Sequence, residues 1–468
     1  NAPVRRELLG GLLDRIDGRD RHARRLRLLV AGCLETIQEL PRDLEKRIET
    51  CLAEVIPPRN AAEARVLALA GEEVLLRLPD DLGGLSQARA VATVRTCWLI
   101  NGSRALRRLA GYRDDPREQV QRELVTGWDY FDPDRYATEV LADAPLLEGR
   151  LEVGNPRLLG RLHHLKRLRN LHVSCSVSGG LGFLRGLPEL DGLSMYYVHF
   201  VDETDIDAIG GLTRLEWLSI HVESRLPADL TPLTRLSELR HLSLFSRGFT
   251  GDLAFLDALP RLETLDLAGL ESIDDFRPVA RQAELVRLHL REAPHLRDPA
   301  FFASFPRLRG LVLTGTHVEG GLRALVGHCP GLRSLFLQDT VVGDLDALDA
   351  LDLRTLNLRG CPVEDLAPLA RQRDLESLVL DGVGISGLGP LAELSKLEVL
   401  SLEGCSRVTD LSPLTSLTKL RFVDVQGMAS DLDLAPLAGK PGLRVLADPA
   451  QRFRNAHLLH HSAKIERL

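Results

Sequence analysis

The feature that most restricts the fold of this chain is a spaced pattern of leucines that recurs from about residue 165 to the end. Each occurrence has Leu, two residues, Leu, one residue and then an apolar residue, and successive occurrences lie 21 to 25 residues apart. A segment this short cannot bury its own apolar side, so each must stack on the segments before and after it. The central positions, which we call anchors, are Leu171, Leu193, Leu218, Leu242, Leu265, Leu288, Leu311, Leu335, Leu356, Leu378, Leu400, Val423 and Leu446.

This period and order of leucines are typical of a leucine-rich repeat solenoid, in which each repeat gives one short strand to a curved parallel sheet. Prolines lie ten residues before several anchors. Proline fits the first turn of a helix, because its missing amide hydrogen has no partner to lose there. Repeats this short leave room for only a turn or two, so we expect thin, mostly 3₁₀ segments. The prolines are Pro232, Pro278, Pro368, Pro390, Pro413 and Pro436.

Residues 1–145 predict an all-α domain, because amphipathic runs with three-and-four spacing of apolar residues are separated by proline and glycine. From 103 to 141 three further helices follow in the rhythm of a HEAT-type α-solenoid, the last begun by Asp132 as cap and Pro133 in the first turn. An irregular helical bundle fits the same pattern. The earlier runs cover 21–40, 43–56, 61–78 and 86–100.

The predicted fold class is therefore an α+β solenoid, with an N-terminal all-α domain, HEAT-like or irregular, followed by a leucine-rich repeat domain with a curved parallel sheet. Leu151-Glu152-Val153 looks like a degenerate first repeat that caps the repeats. The polar residues from Gln451 on predict a helical cap at the other end, which otherwise exposes a repeat core. The predicted divisions are a helical domain over 1–145, an N-terminal capping repeat over 146–164, thirteen leucine-rich repeats over 165–449 and a C-terminal cap over 450–468.

The charge balance and the cysteines argue against some classes of function and favour one cellular compartment. The net charge is -7, with 24 basic and 25 acidic residues in 1–150 and 35 and 41 in 151–468. Neither half has the basic excess expected of a nucleic-acid or anionic-membrane binder. The seven scattered cysteines favour a reducing compartment, and no apolar run approaches the length of a membrane span. We expect a cytoplasmic protein without membrane association, metal or cofactor. Because Asn1 replaces an initiating Met and no signal sequence follows, we also expect a part of a longer protein.

The residues between the leucines of each strand are predicted to point to the concave face, because side chains alternate along a strand. The first four repeats place aromatic and histidine side chains there, within one patch because adjacent strands lie about 4.8 Å apart. The sixth repeat adds basic groups, and later strands turn acidic with Asp381, Glu403 and Asp424. The predicted ligand-binding residues are His172, Tyr196, Tyr197 at a strand edge, Trp217, His221, His241, Phe245, Arg287, His289 and Arg291.

We interpret the aromatic group as a binding site for a protein or another macromolecular ligand. Trp, Tyr and Arg often anchor interfaces, since they bury a large area for few frozen rotors. The competing interpretation is that these aromatics pack against one another, or against the helical domain folded back over the repeats. For Arg287, His289 and Arg291, an ordinary solvated strand face competes with a local anion or phosphate site.

Strings such as Leu411-Ser412-Pro413-Leu414 resemble the short repeats of bacterial internalin-like proteins, over residues 151–449. The resemblance implies the fold and not a function. In that family an Asn three residues after the second strand aliphatic satisfies backbone groups in a ladder. Here no repeat has Asn in that slot, and several have Thr or Cys, as at Cys361. The resemblance therefore implies that Thr, Cys and water take over part of that role.

The string TGWDYFDP at 126–133, in a helical region directly before such repeats, resembles the C-terminal sensor part of actinobacterial NACHT-type (STAND, NLR-like) signalling NTPases, including those of anti-phage defence type. In that family an effector and an ATPase precede the helices, and the repeats act as sensor and as a brake on oligomerisation. The sequence contains no G-x-x-x-x-G-K-[ST] motif. The resemblance thus implies an NTPase domain in sequence that would precede Asn1.

The predicted function is a non-enzymatic recognition or sensor module. A ligand on the concave face would change how the repeats sit against the helices and so bias an oligomerisation equilibrium, through its preference for one state. One alternative is the substrate-recognition part of an enzyme such as a ligase, which needs an activated cysteine, whereas Cys33, Cys51 and Cys97 lie in apolar helical stretches. The other is nucleic-acid binding through the helices and Arg287 to Arg291, against which the acidic balance argues.

Overall fold

The structure is a computed structural model that describes residues 2–18, 21–33, 42–223, 225–249 and 251–467. It divides into two compact units. The first comprises the residues up to Cys175 together with Phe183–Leu193, and the second comprises Ser176–Gly182 together with the residues from Ser194 on. The predicted domain boundaries at 145, 164 and 449 stay predictions.

The described part of the first unit is mainly helical. Predicted helices over 43–56 and 86–100 are confirmed by α3 and α6. The run over 61–78 is interrupted at Gly71, which has a φ of 61°. The run over 21–40 begins as α2, and its residues 34–40 lie outside the described residues. The helices are α1 (Ala2–Asp17), α2 (Ala23–Cys33), α3 (Arg42–Val55), α4 (Ala61–Ala68), α5 (Glu72–Leu75), α6 (Gln87–Ile100), α7 (Gly102–Tyr112), α8 (Glu118–Gly127), α9 (Pro133–Tyr136) and α10 (Leu146–Gly149), with a 3₁₀ turn at Trp128–Tyr130 and a π-helical turn at Ala137–Leu141.

Helix α6 lies at the centre of this unit and packs against α4, α7 and α8. The predicted cap is confirmed, because the Asp132 carboxylate accepts a hydrogen bond from the amide of Arg135 at 2.9 Å. Beneath it Tyr136 is fully buried, and its hydroxyl donates to the carbonyl of Leu124 at 2.7 Å. A Cβ at Gly127 would lie 2.4 Å from that hydroxyl, so only glycine fits there. Packing around one central helix does not confirm a HEAT-like arrangement.

The repeats form a parallel sheet of fifteen strands within the described residues, in which each strand lies beside the next one of the chain except that β15 follows β13 and β17 follows β15. Strands β14 and β16 pair with each other in a separate sheet. The strands are β1 (Arg150–Val153), β2 (Asn170–Val173), β3 (Gly192–Val198), β4 (Trp217–Val222), β5 (His241–Phe245), β6 (Thr264–Ala268), β7 (Arg287–Arg291), β8 (Gly310–Thr314), β9 (Ser334–Phe336), β10 (Thr355–Asn357), β11 (Ser377–Val379), β12 (Val399–Ser401), β13 (Phe422–Asp424), β14 (Leu432–Asp433), β15 (Arg444–Ala447), β16 (Phe453–Arg454) and β17 (Lys464–Arg467).

The anchors occupy equivalent positions on adjacent strands of this sheet. From Leu218 on β4 to Val423 on β13 every anchor pairs with the anchor of the next strand, and all are buried. The last predicted anchor is wrong by one residue. Val445 pairs with Val423, whereas Leu446 pairs with Asp424. The continuous column of buried leucines is the core that single repeats cannot make alone.

The returns between strands are thin, as predicted. Each of the six prolines lies in the first turn of its short helix. The three α-helical returns are α11 (Glu203–Gly210), α12 (Arg277–Ala280) and α13 (Gly321–His328). The 3₁₀ segments are Pro156–His164, Gly182–Gly186, Thr231–Arg235, Ala254–Ala258, Pro299–Ser304, Asp346–Ala350, Ala367–Arg371, Gly389–Glu393, Ser412–Ser416, Ala435–Leu437 and Ala456–Leu458.

An aspartate caps many of these short helices. Its carboxylate accepts a hydrogen bond at 2.8 to 3.0 Å from the amide two residues later, and so satisfies a donor that the helix leaves unpaired. The leucine spacing does not predict this pattern of aspartates. The capping residues are Asp229, Asp252, Asp275, Asp298, Asp344, Asp365, Asp410 and Asp433.

Thr and Cys side chains do occupy the slot that holds Asn in the internalin-like repeats. The Thr340 hydroxyl and the Cys361 thiol both donate to the carbonyl of Leu337, at 2.7 and 2.9 Å. The Cys405 thiol donates to the carbonyl of Leu380 at 3.0 Å. These side chains therefore satisfy buried backbone oxygens inside the turns, as the resemblance implied for Thr and Cys.

The two ends of the repeats differ from each other. Leu151 to Val153, predicted as a degenerate first repeat, lie in strand β1, which pairs with β2, and a capping role for this segment stays a prediction. The helix predicted for 451–468 is wrong, because the residues described there form β16, a 3₁₀ turn and β17. Strand β17 extends the sheet beside β15, and the Glu466 carboxylate lies 2.7 Å from the Arg444 guanidinium across the two strands. Lys-Ile-Glu-Arg at 464–467 alternates polar and apolar residues too briefly to be recognised as a strand in sequence.

Candidate recognition surface

Strand alternation places the predicted site residues on the side of the sheet opposite the buried leucines, which we call the open face. On β4, Leu218, Ile220 and Val222 are buried, whereas Trp217 and His221 lie on the open face. Trp217 is exposed and His221 is half-buried. The same alternation holds along β5 and β7. The leucine pattern thus fixes which side chains reach solvent on this face.

Four side chains from four strands form a continuous stack on the open face. The Tyr196 and His221 ring centroids are 4.6 Å apart, and those of His221 and Phe245 are 4.2 Å apart. The Arg291 guanidinium carbon lies 4.7 Å from the Phe245 centroid. We call these four residues the aromatic stack. All four are half-buried, so the predicted packing of the aromatics against one another does occur, and it leaves part of each side chain accessible.

Ala268 explains how Arg291 reaches Phe245. In the register of β5, β6 and β7, Phe245 pairs with Ala268, and Ala268 pairs with Arg291. The two contacting residues are therefore two strands apart, roughly 10 Å at the usual strand spacing. The small Ala268 side chain leaves a gap across which the long arginine extends. A cation over the face of a ring is attracted by the ring quadrupole, which holds the guanidinium there.

Asp266 holds two of the predicted basic residues in place. Its carboxylate oxygen lies 3.1 Å from His289 Nδ1 and 3.5 Å from an Arg291 nitrogen, and its side chain is 14% exposed. The other carboxylate oxygen is buried without a hydrogen-bond partner among the described residues. Asp266 was missed in the sequence. The same alternation rule finds it, because it lies between Leu265 and Leu267 on β6 and so faces the open side.

The pKa of His221 is lowered from its usual 6.5. Burial between its two ring neighbours is the main cause, because it disfavours the charged imidazolium; the nearby Arg291 charge lowers the pKa further, and Asp266 opposes the shift. His221 is therefore neutral at neutral pH and takes part in the stack as an uncharged ring with polar edges.

The remaining predicted residues lie elsewhere. Trp217, 40% exposed, pairs in register with His241, four residues along β4 from the aromatic stack. Arg287 lies in that same row of the sheet, two strands beyond His241. Tyr197 has a φ of 59°, its side chain is 53% exposed, and it is not part of the aromatic stack. His172 belongs to the first unit, where it pairs in register with Glu152. The structure thus gathers Tyr196, His221, Phe245, His289 and Arg291 into one cluster, with Trp217, His241 and Arg287 in a second row.

An open depression of about 520 Å³ adjoins this second row. Arginines line it, and two of them, Arg309 and Arg333, were missed because each precedes its strand rather than lying within it. Its apolar part includes Val312 and the half-buried Phe336. The lining residues are Val286, Arg287, His289, Arg309, Gly310, Leu311, Val312, Arg333, Ser334 and Phe336.

The described residues contain no group of three or more His, Cys, Asp or Glu side chains arranged to hold a metal ion. None of their helices combines the length and apolar character needed to cross a bilayer.

Comparison with solved structures finds similarity to several leucine-rich repeat proteins. No protein-family model matches the chain, and no curated protein matches it in sequence. Internalin InlF of Listeria monocytogenes is 19% identical, over 60% of this chain and 81% of that one, with a TM-score of 0.46. A leucine-rich repeat protein of Leptospira interrogans is 17% identical, over 78% and 98%, with a TM-score of 0.46. TLR13, solved in complex with a single-stranded RNA, is 18% identical, over 70% and 55%, with a TM-score of 0.43. Similarity at this level gives no residue-by-residue correspondence of sites.

Proposed function

We propose that this region is a non-enzymatic recognition module that binds a protein partner on the open face of β3 to β7, the face predicted to be concave. The observation that carries the proposal is the aromatic stack, with the exposed Trp217 in a second row of the same face. Large rings with polar edges, held on neighbouring strands, bury much area on binding and lose few rotors.

Rigidity of the stack supports a role in binding. Tyr196, His221 and Phe245 project from strands of one parallel sheet, and Asp266 on the neighbouring strand β6 contacts Arg291 and His289 from the side. Side chains that are already held in place pay little further entropy when a partner covers them. A site on regular strands is also more precisely positioned than one on loops.

The thiols favour binding over catalysis. Burial raises the pKa of Cys97 to about 12 and that of Cys329 and Cys405 to about 11. A thiol of such a pKa is protonated at neutral pH and is a poor nucleophile. The ligase-type alternative therefore finds no activated cysteine among these three.

We also propose that the chain is the sensor part of a cytoplasmic NACHT-type signalling NTPase. The support is the TGWDYFDP string at 126–133 and the order of a helical region followed by repeats. In this proposal the partner biases the oligomerisation of the NTPase by preferring one arrangement of the repeats and helices. The coding sequence upstream of Asn1 tests it: a phosphate-binding loop followed by a helical region supports the proposal, and an unrelated or absent upstream domain contradicts it.

Binding variants test the proposed surface. Partners captured from the source organism are identified, and the partner is then purified and titrated against wild type, Tyr196→Ala and Trp217→Ala. Each substitution should weaken binding by at least about tenfold, since interface aromatics often contribute 2 kcal/mol or more. Val341→Ala is the control, because Val341 is 61% exposed and lies outside the open-face strands. Equal affinity of wild type and both aromatic variants would reject the surface.

A further inference from the structure

The residue just before each strand occupies an equivalent slot in successive repeats, which we call the edge slot. The amide of Arg309 donates to the carbonyl of Val286, that of Arg333 to Arg309 and that of Arg354 to Arg333, each at 2.7 or 2.8 Å. Side chains in neighbouring edge slots therefore lie one strand spacing apart. Like charges placed side by side in this column repel, and opposite charges attract.

At several places in this column an arginine and a glutamate occupy neighbouring edge slots. Arg240 lies 2.6 Å from Glu263, and Arg354 lies 3.8 Å from Glu376. Further along the sheet, Arg421 lies 4.0 Å from Glu398. Where arginine and glutamate are neighbours, charge is balanced between adjacent repeats, as expected for a solvated edge with no ligand to attract.

The balance fails from β7 to β10. The edge slots there hold Val286, Arg309, Arg333 and Arg354, so three arginines follow one another, and a glutamate slot comes next only after Arg354. Arg309 donates to the carbonyl of Gly331 at 2.8 Å, and Arg333 lies 3.5 Å from the exposed Asp352 carboxylate. Arg287, one residue after Val286, is exposed and has no ion pair within the part of the chain that the structure describes. Among the described residues, the three guanidinium groups of Arg287, Arg309 and Arg333 thus have one ion-paired carboxylate between them, that of Asp352.

These arginines surround the open depression, whose floor is partly apolar. Gly310 pairs in register between Arg287 and Ser334 and contributes no side chain, which keeps the depression open. Val312 and Phe336 pair in the adjacent row and are half-buried. The depression therefore offers guanidinium donors above an apolar surface, a combination suited to a carboxylate beside an apolar side chain.

We propose that this depression binds an acidic segment of the protein partner, with carboxylates against Arg287 and Arg309 and an apolar side chain on Val312 and Phe336. This inference rests on the proposed function and names the chemistry of the segment. Guanidinium groups bind carboxylates through paired, charge-assisted hydrogen bonds, which are about twice as strong as neutral ones.

The charge of the later strands favours an acidic peptide over a nucleic acid. Beyond the depression, Asp381, Glu403 and Asp424 lie in or just after β11 to β13, and Arg359 lies 3.6 Å from the first two. A polyphosphate chain that followed the sheet would meet this negative region within a few strands. A short acidic segment ends before it, so its charge matches the local positive patch.

A labelled synthetic peptide of alternating Glu and Leu tests the site by fluorescence anisotropy at fixed low salt. Arg287→Gln or Arg309→Gln should weaken binding by about tenfold, since a hydrogen bond to a charged group contributes about 1.5 to 3 kcal/mol. The double variant should bind weaker still. Arg240→Gln is the matched control, because Arg240 occupies an edge slot but is paired with Glu263. A peptide with Gln in place of Glu and a short oligothymidylate are the control ligands.

The expected result is tight binding of the acidic peptide to wild type and to Arg240→Gln, and weak binding of both control ligands. Equal binding of the acidic peptide by wild type and the Arg287→Gln, Arg309→Gln double variant would overturn the proposal. So would tighter binding of the oligothymidylate than of the acidic peptide, which would assign the patch to nucleic acid. All the substituted arginines are exposed, and thermal unfolding of each variant confirms that it is folded.

The two proposals fail in distinguishable ways. Trp217→Ala should leave peptide binding unchanged, because Trp217 lies outside the depression. If partner binding depends on Trp217 while the arginine variants bind the peptide normally, the acidic-segment proposal is wrong and the recognition surface stands. If the arginine variants lose the peptide while the partner binds Tyr196→Ala and Trp217→Ala normally, the aromatic surface is wrong and the anion site stands.

Discussion

The Arg291 guanidinium carbon lies 4.7 Å from the centroid of the Phe245 ring, although β6 runs between their two strands. The contact exists because Ala268 fills the intervening position on β6. Asp266, on the same strand, fixes the guanidinium from the side. Two residues of β6 therefore bring the cation and the ring together: Ala268, because its side chain is small, and Asp266, because its carboxylate is charged.

A double-mutant cycle with Phe245→Leu and Arg291→Met measures this contact. We expect a coupling of about 0.5 to 1 kcal/mol in the free energy of unfolding, the range for a partly exposed cation and ring. Repeating the cycle in an Ala268→Leu background should bring the coupling close to zero, because the leucine occupies the gap. A coupling that survives Ala268→Leu would contradict the role of Ala268. Denaturant unfolding gives all the required free energies.

Replacing Asp266 by Asn should destabilise the protein by about 1 to 3 kcal/mol. The substitution keeps the shape of the side chain but removes the carboxylate charge that faces Arg291 and one oxygen that contacts His289. Asp207→Asn is the control, because Asp207 forms an exposed pair with Arg235 and should cost no more than about 0.5 kcal/mol. Chemical denaturation of the two variants checks the difference, and equal losses would count against a bracing role for Asp266.

Acidification should destabilise the protein through His221. Because its folded pKa is lowered, the unfolded chain binds this proton more tightly than the folded chain does. The contribution of the neutral imidazole is therefore complete above the ordinary pKa of 6.5 and is lost as the pH falls from there through the lower folded pKa. Melting temperatures of wild type and His221→Asn, measured from about pH 8 to pH 5, should converge on acidification. Parallel curves would exclude the effect.

Gly269, directly after β6, should not tolerate a side chain. Its φ is 85°, and a Cβ there would lie 2.4 Å from the carbonyl oxygen of Ser246. Gly269→Ala is expected to cost roughly 1 to 3 kcal/mol or more, because backbone atoms must move. Gly384→Ala is the matched control, since a Cβ there meets nothing within 4 Å, and its effect should stay within about 0.5 kcal/mol. Differential scanning calorimetry of both variants is the measurement.

The cysteines should be mostly unreactive in the native protein. Cys33 is partly accessible, whereas the other six are buried. Ellman's reagent should therefore react quickly with a single thiol of the folded protein and with all seven after denaturation. Cys33→Ser should abolish the native reaction. Rapid native reaction at Cys361 or Cys405 would instead indicate an accessible turn thiol and would reopen the enzyme alternative.

The leucine spacing was sufficient to predict most strands and the face on which the aromatic residues lie. It failed at the last anchor because Val445 and Leu446 are both apolar, and their order alone does not show which one points inward. Pairing with Val423 decides in favour of Val445. The ion pair between Arg444 and Glu466 on β17 agrees, because it places Arg444 on the open face and therefore Val445, the next residue, on the inner one.

The site was partly predictable for a similar reason. Tyr196 and Phe245 are conspicuous because Phe, Trp and Tyr make up only 4% of the chain. Asp266 is one of many acidic residues, and only the strand register shows that it lies beside His289 and Arg291. Arg309 and Arg333 depend on an edge position outside the strands, which the inward and outward alternation does not describe.

The uniform pairing of anchor with anchor from β4 to β13 has an evolutionary consequence. A stretch of gene that runs from one anchor to the next encodes a block whose two flanks match any neighbouring block. Unequal recombination can duplicate or delete such blocks without creating a mismatched seam. Lineages can thereby lengthen or shorten the surface, while drift at the few outward positions of each block retunes what it recognises.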